Sequence, residues 1–195
     1  TQGFLKGRDS ASIPVLCVFD SEEVGSVSPQ GAGSSLLEDT LGRICDGLKL
    51  NRGRMLAQSF LVSADNAHAV HPNHPEYADP GNAPVMGGGL VIKYNANLSY
   101  CTDSVSAAVF RKICGRAGVK VQTYHNRADL PGGSTLGRIS LAHVSVPTVD
   151  IGLAQLAMHS CYETAAVSDA IDLETAMAAY YGSTLEATES GFSIL

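Results

Sequence analysis

Short apolar segments alternate with amphipathic segments along this chain, and this alternation constrains its fold more than any other feature. Residues 13–19 are nearly continuously apolar, as a strand buried on both faces of a sheet is. Residues 36–48 place apolar side chains at three- and four-residue spacing, which is typical of a helix with one buried face. Strands that alternate with helices predict an α/β layer fold.

Further segments follow the same two patterns. Strands are predicted at residues 60–63, 90–93, 119–124 and 147–151, and helices at 104–117, 135–144 and 168–181. Ser168 is the predicted N-cap of the last helix, and Gly182 its stop. Residues 66–89 contain four prolines and three successive glycines. They predict a long irregular loop, and such loops usually carry function.

The composition excludes several classes of protein. A hydrophobic fraction of 45% over 195 residues is enough for one globular core, and a formal charge of −6 argues against a nucleic-acid partner. The chain has no apolar run of 18 residues, which argues against a membrane span. Its five cysteines are odd in number and widely spaced, which predicts free thiols in a reducing compartment.

Two adjacent glutamates, Glu22 and Glu23, follow the first predicted strand. They would lie at its carboxyl end, where open α/β sheets bind ligands. On an extended backbone neighbouring side chains point to opposite sides, so one glutamate could bind a cation while the other faces the water that the cation activates. A solvated acidic loop explains the same residues equally well.

A second polar group follows the strand predicted at 60–63. Asp65, His68, His71 and His74 lie within ten residues and offer the oxygen and nitrogen donors that zinc binds. Each histidine taken singly is better explained as a structural residue in a proline-rich loop. Asp65, with at least one histidine beside it, is better explained as functional.

Two later signals are weaker. His159 ends an apolar run, and a single histidine in that position is more often a core residue than a ligand. Gly133 and Ser134 precede a predicted helix, where backbone N–H groups could bind an anionic or carbonyl oxygen. Ordinary turns use the same residues.

Taken in order, four segments resemble the signatures of one family. They are Asp-Ser-Glu-Glu-Val-Gly-Ser at 20–26, Ser-Ala-Asp-Asn-Ala-His-Ala-Val-His-Pro-Asn at 63–73, Gly-Leu-Val-Ile-Lys at 89–93 and Gln-Leu-Ala-Met-His-Ser at 155–160. The chain is identified by them as a member of the aspartyl aminopeptidases, dinuclear zinc exopeptidases of the vacuolar aminopeptidase I type. The resemblance implies a three-layer α/β catalytic domain, with a mixed sheet flanked by helices.

The resemblance also implies roles for the four residues with the strongest signals. The residue matching Glu22 is the general base, and Glu23 and His159 match ligands of one zinc ion, whereas Asp65 matches a ligand of the other. The two Zn²⁺ ions of a complete site, about 3.5–4 Å apart, polarise the peptide carbonyl and lower the pKa of a bridging water.

Selectivity for an acidic first residue requires a cation in the substrate pocket. The family's pocket lysine matches Lys93, and a tyrosine seven residues later matches Tyr100. A buried ammonium discriminates strongly, because an uncharged substrate would leave it unpaired. His68 and His71 match histidines near the active site, where we expect roles beside the substrate or behind the metal ligands.

The resemblance covers only part of the family's length. The family's first histidine ligand and its metal-bridging aspartate lie upstream of the two glutamates, together with most of a dimerisation domain. Before Glu22 this chain has 21 residues with no histidine, and neither Asp9 nor Asp20 fits the bridging position. Residues 1–195 are therefore interpreted as the C-terminal portion of the catalytic domain, with three of five protein ligands.

The sequence thus predicts a cytoplasmic metalloaminopeptidase that removes N-terminal Asp or Glu from peptides, and the family implies a dodecamer. One alternative is a related dinuclear aminopeptidase of other specificity, in which Lys93 faces solvent. Another is a non-catalytic binding or assembly module of the same fold. The joint presence of Glu22, Glu23, Asp65 and His159 argues against that module.

Overall fold

A computed structural model describes residues 1–7 and 10–195, so Asp9 lies outside the described residues. The helices are α1 (Gln2–Lys6), α2 (Leu36–Leu48), α3 (Arg52–Ala57), α4 (Ser104–Arg116), α5 (Leu136–Leu141) and α6 (Val167–Gly182). The strands are β1 (Leu61–Ala64), β2 (Ala67–His68), β3 (Leu90–Tyr94), β4 (Val121–His125), β5 (Thr148–Gly152), β6 (Ala154–Leu156), β7 (Thr164–Ala165), β8 (Leu185–Thr188) and β9 (Gly191–Ile194).

The main sheet has four strands in the order β1-β5-β3-β4. Strand β1 runs parallel to β5, and β3 parallel to β4, whereas β3 and β5 are antiparallel. A smaller sheet, β2-β6-β7, continues from the ends of β1 and β5, and β8 and β9 form a hairpin. The mixed sheet agrees with the fold that the sequence predicts.

Helices cover both faces of the main sheet. On one face, Leu90 and Ile92 of β3 pack with Phe110 of α4 and Ala176 of α6 in the largest core cluster. On the other face, Leu61 of β1 packs in a cluster with residues of α2, α3 and α5. Because successive strand residues point to opposite faces, Lys93 lies on the second face, away from the main core. This three-layer arrangement confirms the predicted fold class.

Most predicted elements form within two residues or so of their expected bounds, but two expectations were wrong. Residues 13–19 are not a strand: Val18 is 77% exposed, and no strand pairs with this segment in the described part of the chain. An apolar run becomes a strand only where a neighbouring strand accepts its backbone hydrogen bonds. Ser168 is not the N-cap of α6, since Ala166 holds that position.

The helix predicted at 135–144 is shorter, with Thr135 as its N-cap and Leu141 as its last residue. The loop 66–89 contains β2 and a turn of 3-10 helix at Pro75–Tyr77. No helix in residues 1–7 and 10–195 is long and apolar enough to cross a bilayer.

Candidate metal-dependent active site

One polar cleft of about 350 Å³ brings together nine of the ten residues that the sequence singles out. Its lining includes Glu22, Glu23, Asp65, His68, Lys93, Tyr100, Gly133, Ser134 and His159. The tenth residue, His71, is not part of the lining. Its ring packs against His74 in the exposed loop after β2, at a centroid distance of 5.4 Å, and its substrate role stays a prediction.

The backbone that carries the two glutamates is a turn of 3-10 helix at Glu22–Val24, not the extended segment expected from the sequence. Left-handed residues bracket the turn, Ser21 at φ 61° and Gly25 at φ 101°, and the Gly25 N–H donates to the Glu22 carbonyl at 3.0 Å. Side chains in a 3-10 helix are about 120° apart because the helix has three residues per turn. The two carboxylates therefore still have different neighbours.

Glu23 and His159 face each other across the cleft. Glu23 Oε2 and His159 Nε2 are 2.7 Å apart, and both side chains are largely exposed. His159 follows β6 with a left-handed backbone, φ 65°, and its N–H donates to Glu163 Oε1 at 2.7 Å. A positive φ is uncommon for a residue with a side chain, so Glu163 helps to hold a conformation that costs energy.

Asp65 lies directly after β1, where two contacts fix its backbone. Lys93 Nζ donates to the carbonyl oxygens of Asp65 at 2.8 Å and Asn66 at 3.1 Å. Gly152 lies behind the same peptide, and a Cβ on that glycine would be 2.0 Å from the Asp65 carbonyl oxygen. Asp65 can therefore take its position only because residue 152 has no side chain.

Lys93 is the largest fully buried side chain of the molecule as described, with 1% exposure. Its Nζ lies 3.8 Å from Asp65 Oδ2 and 5.2 Å from the centre of the Tyr100 ring. Burial lowers the pKa of Lys93, and the nearby carboxylates of Asp65, Asp150 and Glu22 oppose that shift. The ammonium is thus held by carbonyls, carboxylates and an aromatic ring instead of water.

The charges of the cleft also act on Glu22 and His68. Desolvation raises the pKa of Glu22, repulsion by Asp65 and Glu23 raises it further, and His159 and Lys93 partly oppose this. For His68, whose ring reaches the cleft wall near Tyr124, partial desolvation lowers the pKa, and the positive charges of His159 and Lys93 add to that shift. A glutamate with a raised pKa is suited to accept a proton.

The donors in the cleft fit zinc in chemistry but do not make a complete site. Glu23 and His159 offer a carboxylate oxygen and an imidazole nitrogen at one point, and Asp65 offers a further carboxylate. Within residues 1–7 and 10–195, no three His, Cys, Asp or Glu side chains are arranged to hold an ion together. The three ligands expected from the sequence line this cleft, and their binding of metal stays a prediction.

Several other polar residues of the cleft were not predicted to belong to the site. Gln155, Thr135 and Glu163 line it, and Gln155 accepts a hydrogen bond from the Asn66 side chain. Glu163 had a local signal, since it lies only four residues after His159 in the sequence. Gln155 and Thr135 could not be assigned to the site, because their hydrogen-bond partners, Asn66 and Asp150, lie far from them in the sequence.

Comparisons with known proteins point to one family. A family model described as aminopeptidase I zinc metalloprotease (M18) matches residues 4–181. A probable M18 family aminopeptidase 2 of Mycobacterium tuberculosis is 46% identical over 183 residues, which are 91% of this chain and 42% of that protein. A probable aspartyl aminopeptidase of Ricinus communis is 45% identical over 166 residues, which are 83% of this chain and 34% of that protein.

Solved structures agree with the sequence matches. A chain in the cryo-EM structure of the Ape4 and Nbr1 complex has a TM-score of 0.79 and 38% identity, and the match covers 84% of this chain and 32% of that one. The structure of the Saccharomyces cerevisiae mApe1 dodecamer has a TM-score of 0.73 and 28% identity, with coverage of 84% and 36%. The chain spans less than half the length of these relatives.

Proposed function

This chain belongs to the aminopeptidase I family of zinc metalloproteases, M18, and we propose that the full protein is a zinc-dependent aminopeptidase that removes N-terminal Asp or Glu from peptides. The observation that carries the proposal is the convergence of Glu22, Glu23, Asp65 and His159 on one cleft whose wall contains a buried lysine. The 45% identity to a probable aspartyl aminopeptidase supports the acidic preference.

We assign the metal-binding residues by their places in the cleft. Glu23 and His159 would hold one zinc ion and Asp65 a second, with the remaining ligands supplied by residues outside this chain. Bound zinc would polarise the scissile carbonyl and acidify a water molecule. Glu23 Oε2 and His159 Nε2 are 2.7 Å apart, so two atoms that can bind a metal ion lie at one point of the cleft.

Glu22 is the general base of the proposed reaction. Its carboxylate accepts a proton from the water that attacks the carbonyl carbon, and it returns that proton to the amine nitrogen as the C–N bond breaks. Desolvation raises the pKa of Glu22, and repulsion by Asp65 and Glu23 adds to that rise, which favours the protonated intermediate state that this transfer requires.

Lys93 and Tyr100 form the acidic pocket in this proposal. An ammonium has three N–H donors, and carbonyls of Asp65 and Asn66 take two of them, which leaves one for a substrate carboxylate. His68, Gly133 and Ser134 line the same cleft, and we assign them to substrate binding. Lys93 would therefore bind the substrate and position Asp65 at once.

The test compares N-terminal Asp and Leu p-nitroanilides with the full protein, the Lys93→Met variant and a control, Lys120→Met, at an exposed lysine outside the cleft. We expect the parent and control to prefer Asp. A hydrogen bond to a charged group contributes about 1.5–3 kcal/mol, so Lys93→Met should lower kcat/KM for Asp by roughly 10- to 150-fold.

Because Lys93 also holds Asp65, zinc content is measured for each variant. Equal rates of the parent on both substrates would refute the acidic pocket and favour a related aminopeptidase of other specificity. No hydrolysis of either substrate by the zinc-loaded full protein would refute the enzyme and favour a binding or assembly module.

We also propose that residues 1–195 are the C-terminal part of a catalytic domain that an upstream catalytic segment and a dimerisation domain complete. Strand β1 is an edge of the main sheet, and between it and residues 13–19 runs an apolar groove of about 490 Å³ whose lining includes Leu37, Phe60 and Val146. Upstream strands would cover this groove and supply the missing ligands. An apolar dye should bind the isolated chain and not the full protein.

The full protein is further proposed to form a dodecamer in the cytoplasm. The dodecameric mApe1 structure supports the assembly, and native mass spectrometry of the full protein tests it. All five cysteines are free thiols, as expected for a reducing compartment.

A further inference from the structure

Asp150 is a fully buried carboxylate on the cleft face of the main sheet. It lies in β5 with 0% exposure, opposite Ser63 of β1. The pairing of Ile92 with Ile151 across β3 and β5 places Asp150 on the same face as Lys93. Nothing in the proposed reaction uses Asp150.

Both oxygens of this carboxylate bind residues of separate loops. Thr135 Oγ1 donates to Oδ1 at 2.8 Å, and the Cys101 N–H donates to Oδ2. The Asp150 N–H donates in turn to Thr102 Oγ1 at 2.8 Å. One side chain thus joins the segment before α4 to the segment before α5.

The two segments carry the substrate side of the cleft. Tyr100 immediately precedes Cys101, and Gly133 and Ser134 immediately precede Thr135. Neither segment is in a strand, so no sheet ladder fixes its position. Their placement depends instead on side-chain contacts such as those of Asp150.

The surroundings of Asp150 leave its carboxylate little freedom. A Cβ on Gly137 would be 2.8 Å from Asp150 Oδ1 and 2.7 Å from Ser63 Oγ, so the start of α5 lies directly against this side chain. A buried carboxylate without hydrogen-bond donors is strongly unfavourable, which means that the loops must stay in place to satisfy it.

We propose that Asp150 is a positioning residue that fixes Tyr100 and Ser134 at their separation across the substrate pocket. The inference rests on the proposed aminopeptidase function, because only a substrate makes that separation matter. It assigns to Asp150 no contact with the substrate or the metal ions.

The test uses Thr135→Val, which removes one donor to Asp150, and Thr135→Ser, which retains the hydroxyl. We expect Thr135→Val to raise KM for an N-terminal Asp p-nitroanilide by about 10- to 100-fold, with a smaller change in kcat. This factor corresponds to the free energy that a hydrogen bond to a charged group contributes. Thr135→Ser should restore KM to within about threefold of the parent. Zinc content should be the same in all three proteins.

Alkylation of Cys101 gives a second measurement that does not need activity. Burial raises the pKa of the Cys101 thiol to about 12, and the charge of Asp150 contributes to that shift. At pH 8 the thiol is therefore almost entirely protonated, and labelling should accelerate with pH. In Asp150→Asn we expect labelling of Cys101 by iodoacetamide at least tenfold faster, with Cys114, buried in α4, as the internal control.

The outcomes separate the two proposals. An active parent whose KM is unchanged by Thr135→Val overturns the positioning role and leaves the aminopeptidase intact. The positioning role is also overturned if Thr135→Ser is as impaired as Thr135→Val. It is overturned as well if Asp150→Asn leaves the labelling rate of Cys101 unchanged. An inactive parent that binds zinc refutes the proposed function, and with it the substrate role of the two loops.

Discussion

Exchanging the two adjacent glutamates for glutamine, one at a time, tests the assignment of base and ligand. Glu22→Gln keeps the size of the side chain and removes the proton acceptor. Loss of a general base typically lowers kcat by 10²- to 10⁴-fold, a barrier increase of about 3–5 kcal/mol. Because the variant also removes repulsion with Asp65 and Glu23, zinc binding should be undiminished.

Glu23→Gln should act on metal content instead. The pair of Glu23 and His159 is largely exposed, and such a pair contributes at most about 1 kcal/mol to folding, so the variant should fold normally. The substitution removes the negative charge of the side chain that lies 2.7 Å from His159 Nε2. We expect bound zinc to fall by about one ion per active site.

The assay measures kcat on N-terminal Asp p-nitroanilide and zinc by plasma mass spectrometry, with the full protein and both variants at equal concentration. His159→Gln is the matched control, since it should reproduce the zinc loss of Glu23→Gln. If Glu22→Gln loses zinc while Glu23→Gln retains it, the two roles are reversed and the assignment from the contact of Glu23 with His159 is wrong.

Two further predictions concern stability. Gly152→Ala should lower both the thermal midpoint and the zinc content of the full protein, because the new Cβ would displace Asp65. Gly42→Ala is the control: its new Cβ would meet open space, so this variant should be neutral or stabilising. Asp169→Ala removes a buried carboxylate that accepts hydrogen bonds from two glycine N–H groups, at 2.8 and 3.1 Å. We expect a loss of about 3 kcal/mol and a midpoint lower by roughly 6–12 °C, with a smaller loss in Asp169→Asn; equal midpoints would contradict the role of that carboxylate.

Local patterns were sufficient where an element is determined by its own residues. The spacing in residues 36–48 predicted α2 with its observed bounds, and the apolar run at 90–93 predicted β3 to within one residue. Residues 13–19 carry an equally strong pattern and do not pair. A helix makes its hydrogen bonds internally, whereas a strand depends on a neighbour that its own sequence does not specify.

The site shows the same division. Ends of strands and the family resemblance pointed to Glu22, Asp65 and His159, and the fold brings these residues to one cleft. The extended backbone expected at the glutamates was wrong, because left-handed residues on both sides turn it into a 3-10 helix. Asp150 and the carbonyl partners of Lys93 could not be foreseen, since each contact joins residues at least 15 positions apart.

These long-range contacts are made by buried side chains of two neighbouring strands, β3 and β5. Lys93 of β3 holds the backbone of Asp65, a proposed metal ligand, while Asp150 of β5 holds Thr135 and Cys101, which adjoin residues proposed to line the substrate pocket. The two charged side chains lie on one face of the sheet and are both fully buried, so removing either one takes away an opposing charge that stabilises the other. A double substitution of Lys93 and Asp150 should therefore cost less stability than the two single substitutions together. The register of β3 against β5 thus couples the geometry of the proposed metal ligands to that of the proposed substrate pocket.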